Sequence, residues 1–297
     1  MEDSAVLAGG RIGQRVLARA PAELTAGKLK YLGEGVGKVV YASENWVVKR
    51  ERRPREILAL IAIWRAIRKL EGFLPGRWGR RLLERPAQQI RLLRLLAEAV
   101  VLAVPLSVWL TSRIGSTRRL YKRRDRFGEM LAGTHLSGTG LIAETVTFPP
   151  VRVKVKGWPG WLVVDEATER VEQTLDARIN DLARQRRFDE IEVWLDRFLA
   201  LRQEGWKRGV FSLDAHLKNF GIRGDRVVLI DPGGLTNRWE EIADRLGFED
   251  GIQRPHAQLG LENTLRDRPD IAAKFDSKWK MLVNAEAVRT RWPEAAA

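Results

Sequence analysis

Asp214, His216, Asn219 and Asp231 have the types and spacing for phosphate chemistry, within FSLDAHLKNFGIRGDRVVLIDPGGL. The first three fall in a short loop after a helix. An apolar pair (Phe220, Ile222), a polar turn (Arg223 to Arg226) and the β-rich run Val227 to Ile230 follow, and Asp231 leads into Pro232-Gly233-Gly234. This pattern predicts loop, short strand, turn, strand, loop. A hairpin there brings its two ends together, so Asn219 and Asp231 face one small volume with Asp214 beside them. Magnesium takes a few carboxylate or amide oxygens and completes its shell with water and phosphate oxygens. Asp214 is then the group available to take a proton from an attacking hydroxyl.

The order D-x-x-x-x-N, followed twelve residues on by D-x-G, resembles the catalytic and metal-binding loops of the protein-kinase-like superfamily. His216, two residues after Asp214, makes the stretch similar to D-x-H-x-x-N of aminoglycoside and other small-molecule kinases, where protein kinases usually carry Lys. The resemblance implies Asp214 as catalytic base, His216 in the same catalytic loop, Asn219 and Asp231 as metal ligands, and ATP and Mg²⁺ as cofactors. It departs at Ser212, where many relatives have His, and at Pro232. Taken singly, these residues read as a capping Asp and a turn Asn; the ordered set with a hairpin between favours the kinase-like reading.

Upstream, Lys28 to Lys49 reads as three short strands around turns, KLKYLGEG, GKVVYA and WVVK. Gly33, Gly35 and Gly37 allow the backbone to approach a phosphate. Lys49, twelve residues beyond Gly37, ends the third strand. By the same resemblance these are the glycine-rich loop and the strand lysine that neutralises nucleotide phosphates, with the last glycine of the pattern replaced by Lys38. A Glu on the following helix pairs with that lysine in the family. Glu56 lies seven residues after Lys49, and Glu129 is the alternative if residues 50–115 are an insertion; the sequence leaves both open.

The chain has 297 residues, no cysteine and a net charge of +14. Neither a disulfide frame nor a thiolate metal site is possible. Residues 50–128 hold 20 Lys and Arg against 6 Asp and Glu, and the remainder, with 32 of each sign, is neutral. The excess therefore belongs to one segment with its own task. Within it, the sixteen residues from Leu95 to Leu110 carry only Glu98 as a charge and contain Pro105. That is short for a spanning helix. A single span would also separate Lys49 from Asp214, which one nucleotide must bring together. The composition of 72–128 suits insertion into the face of an anionic membrane, with a buried helical insertion as the equal alternative. Nucleic acid is disfavoured, since no recognisable module accompanies the arginines.

Residues 141–166 return to strands, and by resemblance Val163 to Ala167 lie near the adenine. Helices are expected at about 170–185 and 188–205, the second burying Phe188, Ile191, Trp194, Leu195, Phe198 and Leu201. Some 60 residues follow Gly234 without a peptide-binding A-P-E segment, which favours a small acceptor. The expected fold is α+β and two-lobed, protein-kinase-like. Its parts are an N-terminal arm (1–27), a β-rich N-lobe (28–165) carrying a basic apolar helical insertion, and a mostly helical C-lobe (166–297). The start of the chain does not read as a signal peptide. Cytoplasmic location is expected, peripheral to the inner face of a membrane if 72–128 binds one. The implied function is transfer of the ATP γ-phosphoryl to a hydroxyl of a small-molecule or lipid-linked sugar acceptor. A nucleotide-binding scaffold without turnover and a protein Ser/Thr kinase are the rivals.

Overall fold

The computed structural model describes residues 15–34, 38–53, 56–57, 124–157 and 160–293. The chain is α+β, an N-terminal mixed sheet followed by a mostly helical C-terminal region. It divides into two compact units: Met1–Ala20 with Arg123–Pro149 and Thr168–Ala297, and Pro21–Lys122 with Pro150–Ala167. Each is described by itself.

In the second unit a short helix, α1 (Ala22–Ala26), precedes strands β2 (Lys28–Glu34), β3 (Lys38–Ala42) and β4 (Trp46–Glu51); β1 (Arg15–Val16) belongs to the first unit. β2, β3 and β4 form an antiparallel meander, as the three-strand reading of 28–49 expects. Its register slips between Tyr31 and Gly33, a bulge at the residue with no side chain to clash. Val39 stands opposite Arg50 and Tyr41 opposite Val48, so these four share one face, of which Val39, Tyr41 and Val48 are buried. Lys49, opposite Val40, projects from the other face. The turn after β3 is held by Asn45, whose side-chain amide and backbone N–H donate to Glu23 of α1 at 2.6 and 3.1 Å.

β5 (Thr145–Val155) and β6 (Trp161–Glu169) complete a six-stranded sheet, order β1-β5-β2-β3-β4-β6, in which β5 also pairs with β6. β5 runs straight through Pro149 and Pro150. It can do so because β1 pairs with Val146 and Thr147, and β2 with Lys154 and Val155. The exposed prolines fall between the residues that pair with β1 and those that pair with β2.

The first unit holds the helical part. Residues 124–135 are helical and are here called α2. After β7 (Gln173–Thr174) come α3 (Leu175–Arg184), with Thr174 Oγ1 accepting from Ala177 N as N-cap, and α4 (Phe188–Lys207). The apolar stripe of α4 is core: Ile191, Trp194, Leu195, Phe198 and Leu201 are buried, and Phe188 packs against them. Short strands β8 (Phe211–Ser212), β9 (Phe220–Arg223), β10 (Arg226–Leu229) and β11 (Leu235–Thr236) follow. The chain continues as α5 (Trp239–Asp250), α6 (Pro255–Gln258), α7 (Pro269–Leu282) and α8 (Ala285–Arg289). Phe198 of α4 contacts Phe220 edge-on and stacks on Trp279 of α7, with centroids 4.8 and 6.4 Å apart. One aromatic cluster thus joins the hairpin to both long helices. Lys278 donates to Asp196 at 2.7 and 2.8 Å across the same helix pair.

No helix among the described residues is long and apolar enough to cross a membrane. Residues 72–123 of the basic apolar stretch lie outside the described residues.

Candidate active site

Two strand pairings place the polar residues of 211–235. β9 and β10 pair antiparallel, Phe220 opposite Leu229 and Arg223 opposite Arg226, as the hairpin reading requires. Gly224 supplies the positive φ (58°) of the turn. The ends of this hairpin are then tied. The Asn219 carbonyl accepts from Ile230 N at 2.9 Å and from Asp231 N at 3.3 Å. Asn219 and Asp231, twelve residues apart in sequence, are therefore direct neighbours.

The second pairing brings Asp214 to the same place. Ser212 lies opposite Leu235 and Phe211 opposite Thr236, and Leu213 N donates to Gly234 O at 2.9 Å. The loop beyond β8 alternates buried and exposed residues: Ala215 and Leu217 enter the core, while Asp214 and His216 face solvent. Three polar contacts shape it. Ser212 Oγ and Asn219 Nδ2 donate to the Asp214 carbonyl at 3.0 and 3.3 Å, and His216 N donates to Asp214 Oδ1 at 3.3 Å. Ser212, the departure from the kinase pattern, thus holds the Asp214 backbone with its own hydroxyl. The His216 main chain engages Asp214 while its ring stays exposed.

Close approach explains the glycines. A Cβ on Gly234 would lie 3.1 Å from Asp214 Cβ, and one on Gly233 would lie 2.8 Å from Asp125 Oδ1 of α2. A Cβ on Gly128 of α2 would lie only 2.2 Å from the Pro232 carbonyl oxygen. That contact is with backbone and cannot be relieved by a rotamer change. Gly128→Ala is accordingly expected to destabilise the protein by about 1–3 kcal/mol, overpacking outweighing a gain of about 1 kcal/mol in helix propensity. Thermal unfolding measures this; a stability equal to or above wild type would contradict the packing of α2 on the 231–234 loop. Asp125, Gly128 and Gly234 were not singled out from sequence. For Asp125 and Gly128 the partner segment is just over 100 residues away, and no local pattern encodes it.

The donor set suits a hard cation. Asn219 and Asp231 offer an amide and a carboxylate oxygen from half-exposed side chains fixed by backbone hydrogen bonds. Among the described residues no group of three or more His, Cys, Asp or Glu is arranged to hold a metal. Magnesium that shares its shell with phosphates needs no such cage.

The nucleotide-binding residues read from sequence lie in the second unit. Gly33 is at the bulge of β2, Lys49 is on β4, and Gly35 and Gly37 lie outside the described residues. The Glu56 carboxylate is bound in bidentate fashion by Arg50, at 3.0 and 2.9 Å, and also accepts from Arg53 N. Burial alone would lower the Arg50 pKa, but Glu56, helped by Tyr41, outweighs it and holds the guanidinium above its ordinary value. Arg50 shares its sheet face with Tyr41 and Val48, opposite the face of Lys49. Glu129 lies on α2, in the other unit from Lys49.

No protein-family profile matches this sequence, and no curated protein does. Among solved structures the chain is similar to the complex of Rv3197 with erythromycin from Mycobacterium tuberculosis. The match has 16% identity over 82% of this chain and 55% of that chain, with a TM-score of 0.35. This chain thus spans about half the length of that protein, and a likeness of this degree supports no functional conclusion.

Proposed function

We propose that this chain is an ATP-dependent phosphotransferase of the kinase-like type, acting on a hydroxyl of a small-molecule or lipid-linked sugar acceptor. The observation that carries the reading is the locked pair of hairpin ends, with Asn219 O accepting from Asp231 N and Asn219 Nδ2 donating to the Asp214 carbonyl. One residue thereby positions both the base and the second metal ligand of the sequence pattern.

In this reading Asp214 accepts the proton of the acceptor hydroxyl as its oxygen bonds to the γ-phosphorus. The bond from that phosphorus to the β–γ bridging oxygen breaks, and ADP leaves with the electron pair. Asn219 and Asp231 would hold Mg²⁺, which would neutralise phosphate charge. By the sequence reading, Lys49 would neutralise further phosphate charge. Fixed backbone hydrogen bonds around Asp214 and Asn219 mean that little reorganisation is needed at the moment of transfer.

Calorimetric titration with ATP tests the nucleotide half of the proposal. Binding by wild type should require Mg²⁺, and the double variant Asn219→Ala/Asp231→Ala should lose that requirement together with most of the affinity. ATP binding indifferent to both Mg²⁺ and the double substitution would remove the metal-ligand roles.

A further inference from the structure

A groove of about 590 Å³ lies within the first unit, lined by residues of α6, of α7 and of the stretch between them. Sites for small molecules typically measure about 300–1,000 Å³. Part of the lining is apolar, from Leu265, Pro269, Ala272 and Ala273. The rest is polar and includes a pair of groups that phosphotransfer does not use. His256, only 7% exposed, donates twice to Asp276 of α7: its backbone N to Oδ1 at 2.8 Å and its ring Nδ1 to Oδ2 at 2.7 Å. An ionised carboxylate can only accept, so the proton sits on Nδ1 and Nε2 keeps a lone pair. Arg254 Nη2 stands 3.4 Å from Nε2, a long contact for a hydrogen bond.

An imidazole fixed by a carboxylate commonly serves a nucleophile or a metal. Neither use fits this groove. No Ser, Thr, Cys or Tyr lines it, and among the described residues no three His, Cys, Asp or Glu gather as a metal site. The charged groups around the ring are Arg254 just before α6, Asp276 of α7, and Glu262 and Arg266 between the two helices. Arg254 pairs with Glu262 at 3.0 Å, but both side chains are more than half exposed, so the pair is weak. Arg266 donates to Asn263 Oδ1 at 2.7 Å and pairs with no carboxylate among the described residues. With a neutral ring, two arginines face two carboxylates and the lining has no net charge. Protonation of the ring makes it +1, which one negative charge balances.

We propose that this groove binds a monocarboxylate with an apolar body, in a site separate from the candidate phosphotransfer centre. The carboxylate enters between Arg254 and His256, replacing their long contact, and accepts from the guanidinium and from Nε2–H. Arg266 offers a second planar fork, suited to a carboxylate. The apolar body packs on Leu265, Pro269 and Ala272. An anion beside the ring favours the imidazolium, which Asp276 also supports. Binding therefore takes up one proton from solvent, and the affinity falls as pH rises.

The test titrates the full chain with benzoate and its neutral isostere benzamide, read by two-dimensional NMR at pH 6 and pH 8 without nucleotide. The chain has three histidines, and His256→Gln assigns the ring signal. At pH 6 benzoate should bind about tenfold or more tightly than benzamide and shift the His256 ring and amides of 254–276. At pH 8, where benzoate itself is equally ionised, its affinity should be about tenfold lower. Arg266→Gln, a change to an exposed side chain, should weaken benzoate binding by about tenfold while leaving benzamide unaffected. His256→Gln should abolish the pH dependence. Equal binding of acid and amide, benzoate affinity unmoved by pH or by Arg266→Gln, shifts confined to other parts of the chain, or no binding of benzoate would each overturn the site. None of these outcomes bears on Asp214, so the phosphotransferase reading is tested separately.

Discussion

Asp231→Ala is expected to lower Mg²⁺-dependent phosphoryl transfer by about a thousandfold or more while leaving the protein folded. Removing one preorganised charge-stabilising group from a polar active site costs on the order of 10²–10³ in rate. Here the group lost is also the only carboxylate of the proposed metal pair, and Asn219 supplies only an amide oxygen. One structural contact of the residue is made by its backbone and survives the substitution. Asp231 N donates to Asn219 O at 3.3 Å, and alanine retains that N–H. The side chain is half-exposed, so its removal opens no cavity. Asp231→Asn refines the test. It keeps the volume and an oxygen donor but not the charge, so the Mg²⁺ concentration giving half-maximal rate should rise. A thousandfold loss accompanied by unfolding, or no loss at saturating Mg²⁺, would show that Asp231 is not a metal ligand.

The second large effect is expected at Asp214. Asp214→Asn should reduce transfer by about 10²–10⁴-fold, the usual contribution of a positioned general base. ATP affinity should stay within about twofold, because a residue that acts on the acceptor contributes little to nucleotide binding. Local geometry makes this substitution informative. The Ser212 and Asn219 side chains both bond the Asp214 main-chain carbonyl, which the substitution leaves alone. His216 N donates to Oδ1, and an asparagine carbonyl oxygen accepts the same bond. Proton acceptance and the negative charge are what is lost. Calorimetry with ATP–Mg²⁺ beside steady-state transfer separates the two effects; equal losses of binding and rate would indicate that the loop itself had rearranged.

The site was legible in sequence to the extent that it is local. The interval from Asp214 to Asp231 contains its own hairpin: the apolar pair Phe220 and Ile222, the polar turn and the β-rich run Val227 to Ile230 mark the two strands whose pairing brings Asn219 to Asp231. The three strands from Lys28 to Glu51 and the buried stripe of α4 were readable for the same reason, since each is a periodic pattern within one segment. What was hidden depends on distant partners. β8 and β11 are two residues each, too short for periodicity, yet their pairing is what sets Asp214 against Gly234. Gly128 matters through the Pro232 carbonyl, and Glu249 looks in sequence like an ordinary helix-surface charge. Only the packing of α5 near Arg202 shows it to be buried. Glu56 is a different lesson. Its spacing from Lys49 suggests one partner, but β-strand alternation turns neighbouring Arg50 towards it, and the bidentate bond forms there.

The central claim is that Asp214, Asn219 and Asp231 form a phosphotransfer site, and its most direct test follows the γ-phosphate itself. Wild type and Asp214→Asn would be incubated with γ-labelled ATP and Mg²⁺ in the presence of neutral polyols and a crude lipid and glycolipid extract. The account predicts label transferred from ATP to an alcohol acceptor by wild type, with transfer by Asp214→Asn at least about a hundredfold slower. ATP bound by both proteins with no label transferred by either, or transfer at equal rates by both, would contradict it.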